Sequence, residues 1–370
     1  MDIRLFLDSI AEHIPLSTST SSLSAYIYND FEHFPRWKDV DIALIGVHEQ
    51  RGSDSDFSEK IPANVVRKAL YQLKKGQNCR IVDLGNLRLG DTIDQSYGRL
   101  SEVCAFLLQN NVIPFILGGS NDLAIGQYTA YENMEKMVYP LIVDHKIDID
   151  TKQAAPANDY ISNILLHQPN YLFGCGILGY QSYLSSQENI KTFQKLNFDE
   201  LSIGMMRRSM HQVEPLVRTA DMLSFDMTAL RKSDACANQN STPFGLSCEE
   251  ACQIAWYAGQ SENLSSFGIY EYNPDLDQSL DTAHVIAVMI WYFIEGFSYR
   301  KQHPNFSDSF YSKYLVSCLG YELVFYKATF SEKWWVELPQ LQNRMACSYE
   351  DYQKACQGEL PERLFRILAN

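Results

Sequence analysis

From about residue 40 onward the chain repeats one pattern: a short apolar run, a polar residue at its end, then a stretch of helical spacing. The runs are 41–46 (Asp-Ile-Ala-Leu-Ile-Gly), 80–84, 112–117, 139–143, 171–173, 221–225 and 264–270. Between them, residues 63–74, 97–109 and 249–258 carry apolar side chains at helical spacing, with Gly259 placed as a C-cap. A strand that is apolar on both faces must be covered on both, and strands separated by helices pair in parallel. The pattern predicts an α/β chain, a three-layer α/β/α sandwich around a mainly parallel sheet.

The ends of the chain read differently. Residues 321–326 and 334–338 look like a strand pair, and 349–368 looks helical with Pro361 interrupting it. No Pro/Gly-rich linker sets this part off, so the expected organisation is one core with additions. Residues 1–39 form an N-terminal segment packed on the core, residues 40–300 the α/β/α domain, and residues 301–370 a C-terminal addition. A net charge of −14 repels phosphate backbones and anionic lipid, which argues against nucleic-acid or membrane partners. The longest apolar stretch, 283–297, falls short of the ~20 residues of a membrane span. The absence of an apolar leader and an odd number of cysteines, nine, predict a cytoplasmic protein without disulfides.

In a parallel α/β sheet, ligands bind at the C-terminal ends of the strands, so the residues that follow the runs carry the information. They are Gly118-Gly-Ser-Asn-Asp122, Asp144-His-Lys-Ile-Asp148, Asp226-Met-Thr228 and Glu271-Tyr-Asn-Pro274. Any one alone reads as a solvated loop acid or a helix N-cap. In this order, followed by Ser241-Thr-Pro-Phe-Gly-Leu246 and Thr282-Ala283, they make residues 41–300 resemble the ureohydrolases: arginases, agmatinases and formimidoylglutamases. The wording of the motifs is most similar to a divergent arginase-like or formimidoylglutamase-like branch. The resemblance implies about eight parallel strands in an α/β/α sandwich. It also implies a pair of Mn²⁺ ions that activate a hydroxide against a guanidinium or formimino carbon, and trimers or hexamers.

Carried over residue by residue, the implied metal ligands are Asn121, Asp144, Asp148 and Asp226. Ser120 stands for a family aspartate beside the first ligand, Lys146 for a family histidine and Thr228 for a family aspartate. His145 comes one residue early, and neighbours on a strand point to opposite faces, so it is not expected to replace the lost histidine. His167 falls near the family's acid/base histidine, and Glu271 matches the carboxylate that grips the substrate's cationic group. Carboxylates crowded without a cation repel, so Lys146 is expected within salt-bridge reach of at least two of Asp144, Asp148 and Asp226.

These departures favour a ureohydrolase-family protein whose binuclear manganese site is largely lost, a catalytically degenerate binding or scaffold protein with no cofactor. The alternative is an active linear-amidine hydrolase, of formimidoylglutamase or arginase type, using an altered ligand set. There the all-oxygen residues hold one weakly bound divalent cation, Mn or Mg. A third reading recruits Lys146 as a base or nucleophile. The expected partners are a small cationic or amidine ligand and further copies of the chain.

Overall fold

A computed structural model describes residues 2–10, 14, 19–28, 37–54, 58–76, 79–147, 149, 155–300, 310–329, 331–337, 344–361 and 363–365. In chain order the strands are β1 (Leu7–Asp8), β2 (Ile27–Tyr28), β3 (Ile42–Gly46), β4 (Ile81–Leu87), β5 (Ile113–Leu117), β6 (Pro140–Val143), β7 (Gly176–Tyr180), β8 (Asp199–Ser202), β9 (Met222–Asp226) and β10 (Ser266–Tyr270). Then come β11 (Tyr311–Cys318), β12 (Tyr321–Ala328), β13 (Trp334–Glu337) and β14 (Arg344–Cys347). The helices are α1 (Pro62–Leu70), α2 (Ile93–Gln109), α3 (Ala124–Glu132), α4 (Tyr160–Leu166), α5 (Gln187–Lys195), α6 (Ile203–Arg208), α7 (Val213–Thr219), α8 (Cys248–Gln260), α9 (Asp281–Arg300) and α10 (Tyr349–Cys356).

The apolar runs become strands because both of their faces are sealed. Every residue of β3, β5, β6, β9 and β10 is buried. One main sheet runs β1-β4-β3-β5-β10-β9-β6-β7-β8, with β2 also on β4, and only β1 is antiparallel. Two apolar layers cover it. One centres on Phe115, Phe267 and Phe293, whose rings meet at 4.7–5.5 Å. The other gathers Leu100, Cys104, Tyr128 and Tyr131 from α2 and α3. Burying each such side chain contributes about 1.5–3 kcal/mol.

Several sequence expectations shift. The run 171–173 is no strand: Leu172 makes an isolated bridge to Val138, and the strand is β7, whose Gly176 and Gly179 dilute its apolar signal. β8 alternates buried and half-buried residues at the sheet edge, so it lacks a fully apolar run. Gly259 does not end α8 but lies within it, and the C-cap is Ser261. There a Cβ would stand 2.2 Å from the Phe293 carbonyl oxygen of α9, so glycine is the residue that lets the two helices touch. The N-terminal segment does more than pack on the core: its two short strands join the main sheet.

The C-terminal addition is larger than a strand pair and a helix. β11-β12-β13-β14 form an antiparallel sheet, and α10 covers one of its faces through Tyr352 and Ala355. Arg218 ties it to α7, donating to the Trp334 carbonyl at 2.9 Å with its guanidinium 4.2 Å from the Trp335 ring centre. Arg363 reaches Asp199 at 3.2 Å and Thr219 at 2.9 Å. Asp199 opens β8 and Thr219 lies just before β9, so these anchors mark the N-terminal edge of the main sheet. All nine cysteines are free thiols. No helix among the described residues is long and apolar enough to cross a membrane.

Candidate active site

Four neighbouring strands, β5, β10, β9 and β6, end side by side at the centre of the main sheet. Leu117 pairs with Ile269, Tyr270 with Asp226, and Phe225 with Val143. With neighbouring strands about 4.8 Å apart, the next residues along each chain must share one edge. They are the Gly118–Asp122 turn, Glu271, the β9 end at Asp226, and Asp144. Gly118 and Gly119 have φ of +91° and +81°, which turns the chain sharply from β5 toward α3 and carries Asn121 inward. Glu271 also adopts a left-handed φ, +64°, while its N–H donates to the Gly119 carbonyl at 2.9 Å.

The side chains interlock. Asn121 donates from Nδ2 to Asp226 Oδ2 at 2.8 Å, and its backbone N–H donates to Glu271 Oε1 at 3.1 Å. The Thr228 N–H donates to Asp226 Oδ1 at 2.7 Å. His145 Nδ1 lies 2.9 Å from Asp144 Oδ1 and 2.6 Å from Thr228 Oγ1. Tyr160 donates to Asp144 Oδ2 at 3.2 Å. Asn121, Asp144, His145, Asp226 and Thr228 are all buried. A Thr–His–Asp relay needs hydroxyl and carboxylate on opposite ring nitrogens. Here both meet Nδ1, so Thr228 is not set up as a nucleophile.

Burial, and then the neighbouring Asp144 charge, push the Asp226 carboxyl above its usual range. Burial and the Asp226 charge do the same to Glu271, against hydrogen bonds from Asn121 and Asn238. Burial pulls His145 down, but its hydrogen bond to Asp144 and the charges of Asp144 and Asp226 outweigh it and raise the imidazole overall. The cluster therefore has a surplus of negative charge that a cation would relieve. Asn121 Oδ1 is buried and accepts no hydrogen bond. Carboxylates and an amide oxygen are a donor set that suits a divalent ion such as Mn²⁺. Among the described residues, the ligand atoms of Asp144, His145 and Asp226 do not all lie within 4.8 Å of one another, so an ion here would take the carboxylates and Asn121, with His145 orienting Asp144. The trio that does is Asp234, Cys248 and Glu249, at the start of α8, where Asp234 already pairs with Arg231 at 2.7 Å.

Not every expected residue arrives. Asp148 lies outside the described residues. The Lys146 ammonium donates to Asn158 Oδ1 at 3.0 Å, and the charged partner of Asp144 is His145 instead. The reason is that β6 stops at Val143, so the alternation of a strand no longer governs the next residues. His145 turns inward, contrary to expectation, and Lys146 reaches the Pro156–Asn158 turn. Ser120 faces the Glu49 carbonyl, 3.3 Å away. His167 is not in the cluster. It pairs with Glu132 at 2.6 Å and packs edge-on against Tyr128, at the far end of α3. Eight residues of helix, about 12 Å, separate that end from the start of α3.

Sequence reasoning missed Asp122, Tyr160 and Asn238. Asp122 is fully buried, accepts a hydrogen bond from the Tyr97 hydroxyl, and is pushed up by burial. Its position in the Gly-Gly turn was the one available signal. Asn238, in the loop before α8, donates to the Glu271 carbonyl at 2.8 Å and to Glu271 Oε2 at 3.2 Å. Beside Glu271 opens a narrow cavity of about 20 Å³, lined also by Gln50, Ser53, Asn238 and Asn273.

Residues 40–295 match the sequence profile of the Arginase family. Curated relatives include the formimidoylglutamase of Geobacillus sp. (strain WCH70), 21% identical over 70% of this chain and 82% of its own. Arginase-1 of Bos taurus is 22% identical over 65% of this chain and 88% of its own. Among solved structures, Trypanosoma cruzi formiminoglutamase with Mn2+2 is similar at a TM-score of 0.65 and 19% identity, covering 72% of this chain and 96% of that one. Formimidoylglutamase from Bacillus subtilis gives 0.67 and 20%, covering 80% and 97%.

Proposed function

The chain belongs to the arginase family, and from that premise we propose that it hydrolyses linear amidines with manganese held by an altered ligand set, most in the manner of a formimidoylglutamase. The expectation of no cofactor is corrected: the Trypanosoma cruzi formiminoglutamase neighbour is solved with Mn2+2. The observation that carries the reading is the buried acidic cluster with an idle amide oxygen, Asn121 Oδ1, at the sheet edge where such folds place their ligands.

Asp144, Asp226 and Asn121 would hold the metal, with His145 orienting Asp144. Manganese there supplies the Lewis acidity that makes water a nucleophile at neutral pH. The chain's own residues do the rest. Glu271 takes the positive amidinium with its carboxylate, positioned by the Asn121 N–H and Asn238. His145, its Nδ1 held between Asp144 and Thr228, is the imidazole placed to hold a proton near the departing amine, the role first assigned to His167.

The test is the full-length protein loaded with Mn²⁺, its metal measured by elemental analysis, and offered N-formimidoyl-L-glutamate, L-arginine and agmatine. Formamide release from the first substrate is expected, lost on chelation and lost in Asp226→Ala. Metal-loaded protein that turns over none of the three would overturn the hydrolase reading. The ligand-position changes Lys146 and Thr228 would then favour a binding protein that uses the same carboxylates to hold a cationic ligand.

A further inference from the structure

The left-handed backbone at Glu271 is unusual for a residue with a side chain and costs on the order of 1–3 kcal/mol unless its surroundings hold it there. The surroundings do so from three sides. The Glu271 N–H donates to the Gly119 carbonyl at 2.9 Å, and its Oε1 accepts the Asn121 N–H at 3.1 Å. The third hold is a single side chain. Asn238 is 3% exposed, and its Nδ2 spans the Glu271 carbonyl at 2.8 Å and Oε2 at 3.2 Å. Asn238 is itself fixed, because its Oδ1 accepts the Asn240 N–H at 2.7 Å. Its neighbour Ala237 is pinned through a carbonyl that accepts the Asn273 N–H at 2.9 Å.

We propose that Asn238 is the positioning residue for cation recognition in this pocket: one amide group grips both the backbone and the carboxylate of Glu271 and sets the angle at which that carboxylate meets a planar amidinium. The proposal rests on the amidine-hydrolase reading for its substrate, not for its geometry. A carboxylate takes a planar cation well only when both of its oxygens lie in the plane of the donors. With Oε1 and Oε2 each held by one donor, the Glu271 carboxylate cannot rotate, so binding a cation orders nothing further. Asn238 touches neither Asp144 nor Asp226 in the described contacts, so its effect separates from that of the cluster that would hold metal.

The experiment compares wild type with Asn238→Ala and Asn238→Ser, using turnover of N-formimidoyl-L-glutamate and, independently, agmatine binding by titration calorimetry. Asn238→Ala is expected to raise KM and weaken agmatine about tenfold, with kcat and bound manganese within about twofold, the pattern of lost substrate binding. Asn238→Ser, which keeps a donor, should recover part of the loss. If wild type binds agmatine but turns over nothing, the hydrolase reading falls, while a tenfold weaker Asn238→Ala still upholds the positioning role. Unchanged KM and agmatine affinity in Asn238→Ala overturn the proposal. So does a loss of kcat and melting temperature that Asn238→Ser does not relieve, or a wild-type protein that neither binds agmatine nor turns over substrate.

Discussion

At the two positions after Asp144 the described contacts differ from those expected: the imidazole meets Asp144 and Thr228, and the ammonium donates to Asn158. His145 sits against Asp144 and Thr228, whereas Lys146 holds Asn158, which in turn donates to Asp54 of the loop over the pocket. His145→Ala should therefore lower manganese affinity about 10- to 100-fold, as loss of a ligand or its orienting partner does. Lys146→Met should leave that affinity within about twofold and act on the pocket loop instead. Manganese titration followed by electron paramagnetic resonance separates the two. An equal loss in both would return Lys146 to the centre of the site. The acids were legible because each ends an apolar run. The reversal of His145 and Lys146 was not, since period-two reasoning holds only while the strand lasts. Asn238 was invisible for a related reason: it sits in an irregular loop without any spacing to read.

Elements that carry the site are those with the plainest sequence signal, β5, β6, β9 and β10, all apolar throughout and all central. The elements misread are those where something other than burial decides. β8 is a half-exposed edge, β7 is thinned by glycine, and α8 runs through a glycine that looked like its end. Gly259 and Gly296 mark the contact of α8 with α9: a Cβ at Gly296 would stand 2.3 Å from the Trp256 carbonyl oxygen, as one at Gly259 would from Phe293. Helix propensity alone predicts that Gly259→Ala stabilises by about 1 kcal/mol. Close packing predicts the opposite, a loss of about 1–3 kcal/mol as the helices are forced apart. Backbone atoms cannot swing aside, so a lower urea midpoint is expected. An unchanged or raised midpoint would show that the helices can separate freely.

Over the whole molecule the two edges of the main sheet do different work. The C-terminal edge gathers the acidic cluster, and the N-terminal edge receives Arg363, with Arg218 of α7 nearby, to anchor the small sheet. Lys333 lies in that junction, donating to the Gln260 carbonyl at 3.3 Å. Burial, and then the charge of Arg218, push its ammonium down to about 8. Between that value and the ordinary ~10.5 the unfolded chain binds more protons than the folded one, so stability should rise with pH across this window. Below about 8 the buried charge weighs against folding in full. Urea midpoints at about pH 7.5 and about pH 9.5 check the sign, and Lys333→Met should abolish the Lys333 contribution to the difference. A wild-type rise no larger than that of the variant would remove Lys333 from the junction's balance. Sequence showed the addition as a strand pair and a helix, without β11 and β14, because β11 exposes four successive residues and β14 is short. The opposition of the two edges also gives the molecule a natural handle. Cys356, exposed at the end of α10, belongs to the anchored side, so biotin attached there, with the other exposed thiol Cys236 changed to serine, should seat the protein on a sensor surface with its pocket facing the flowing solution.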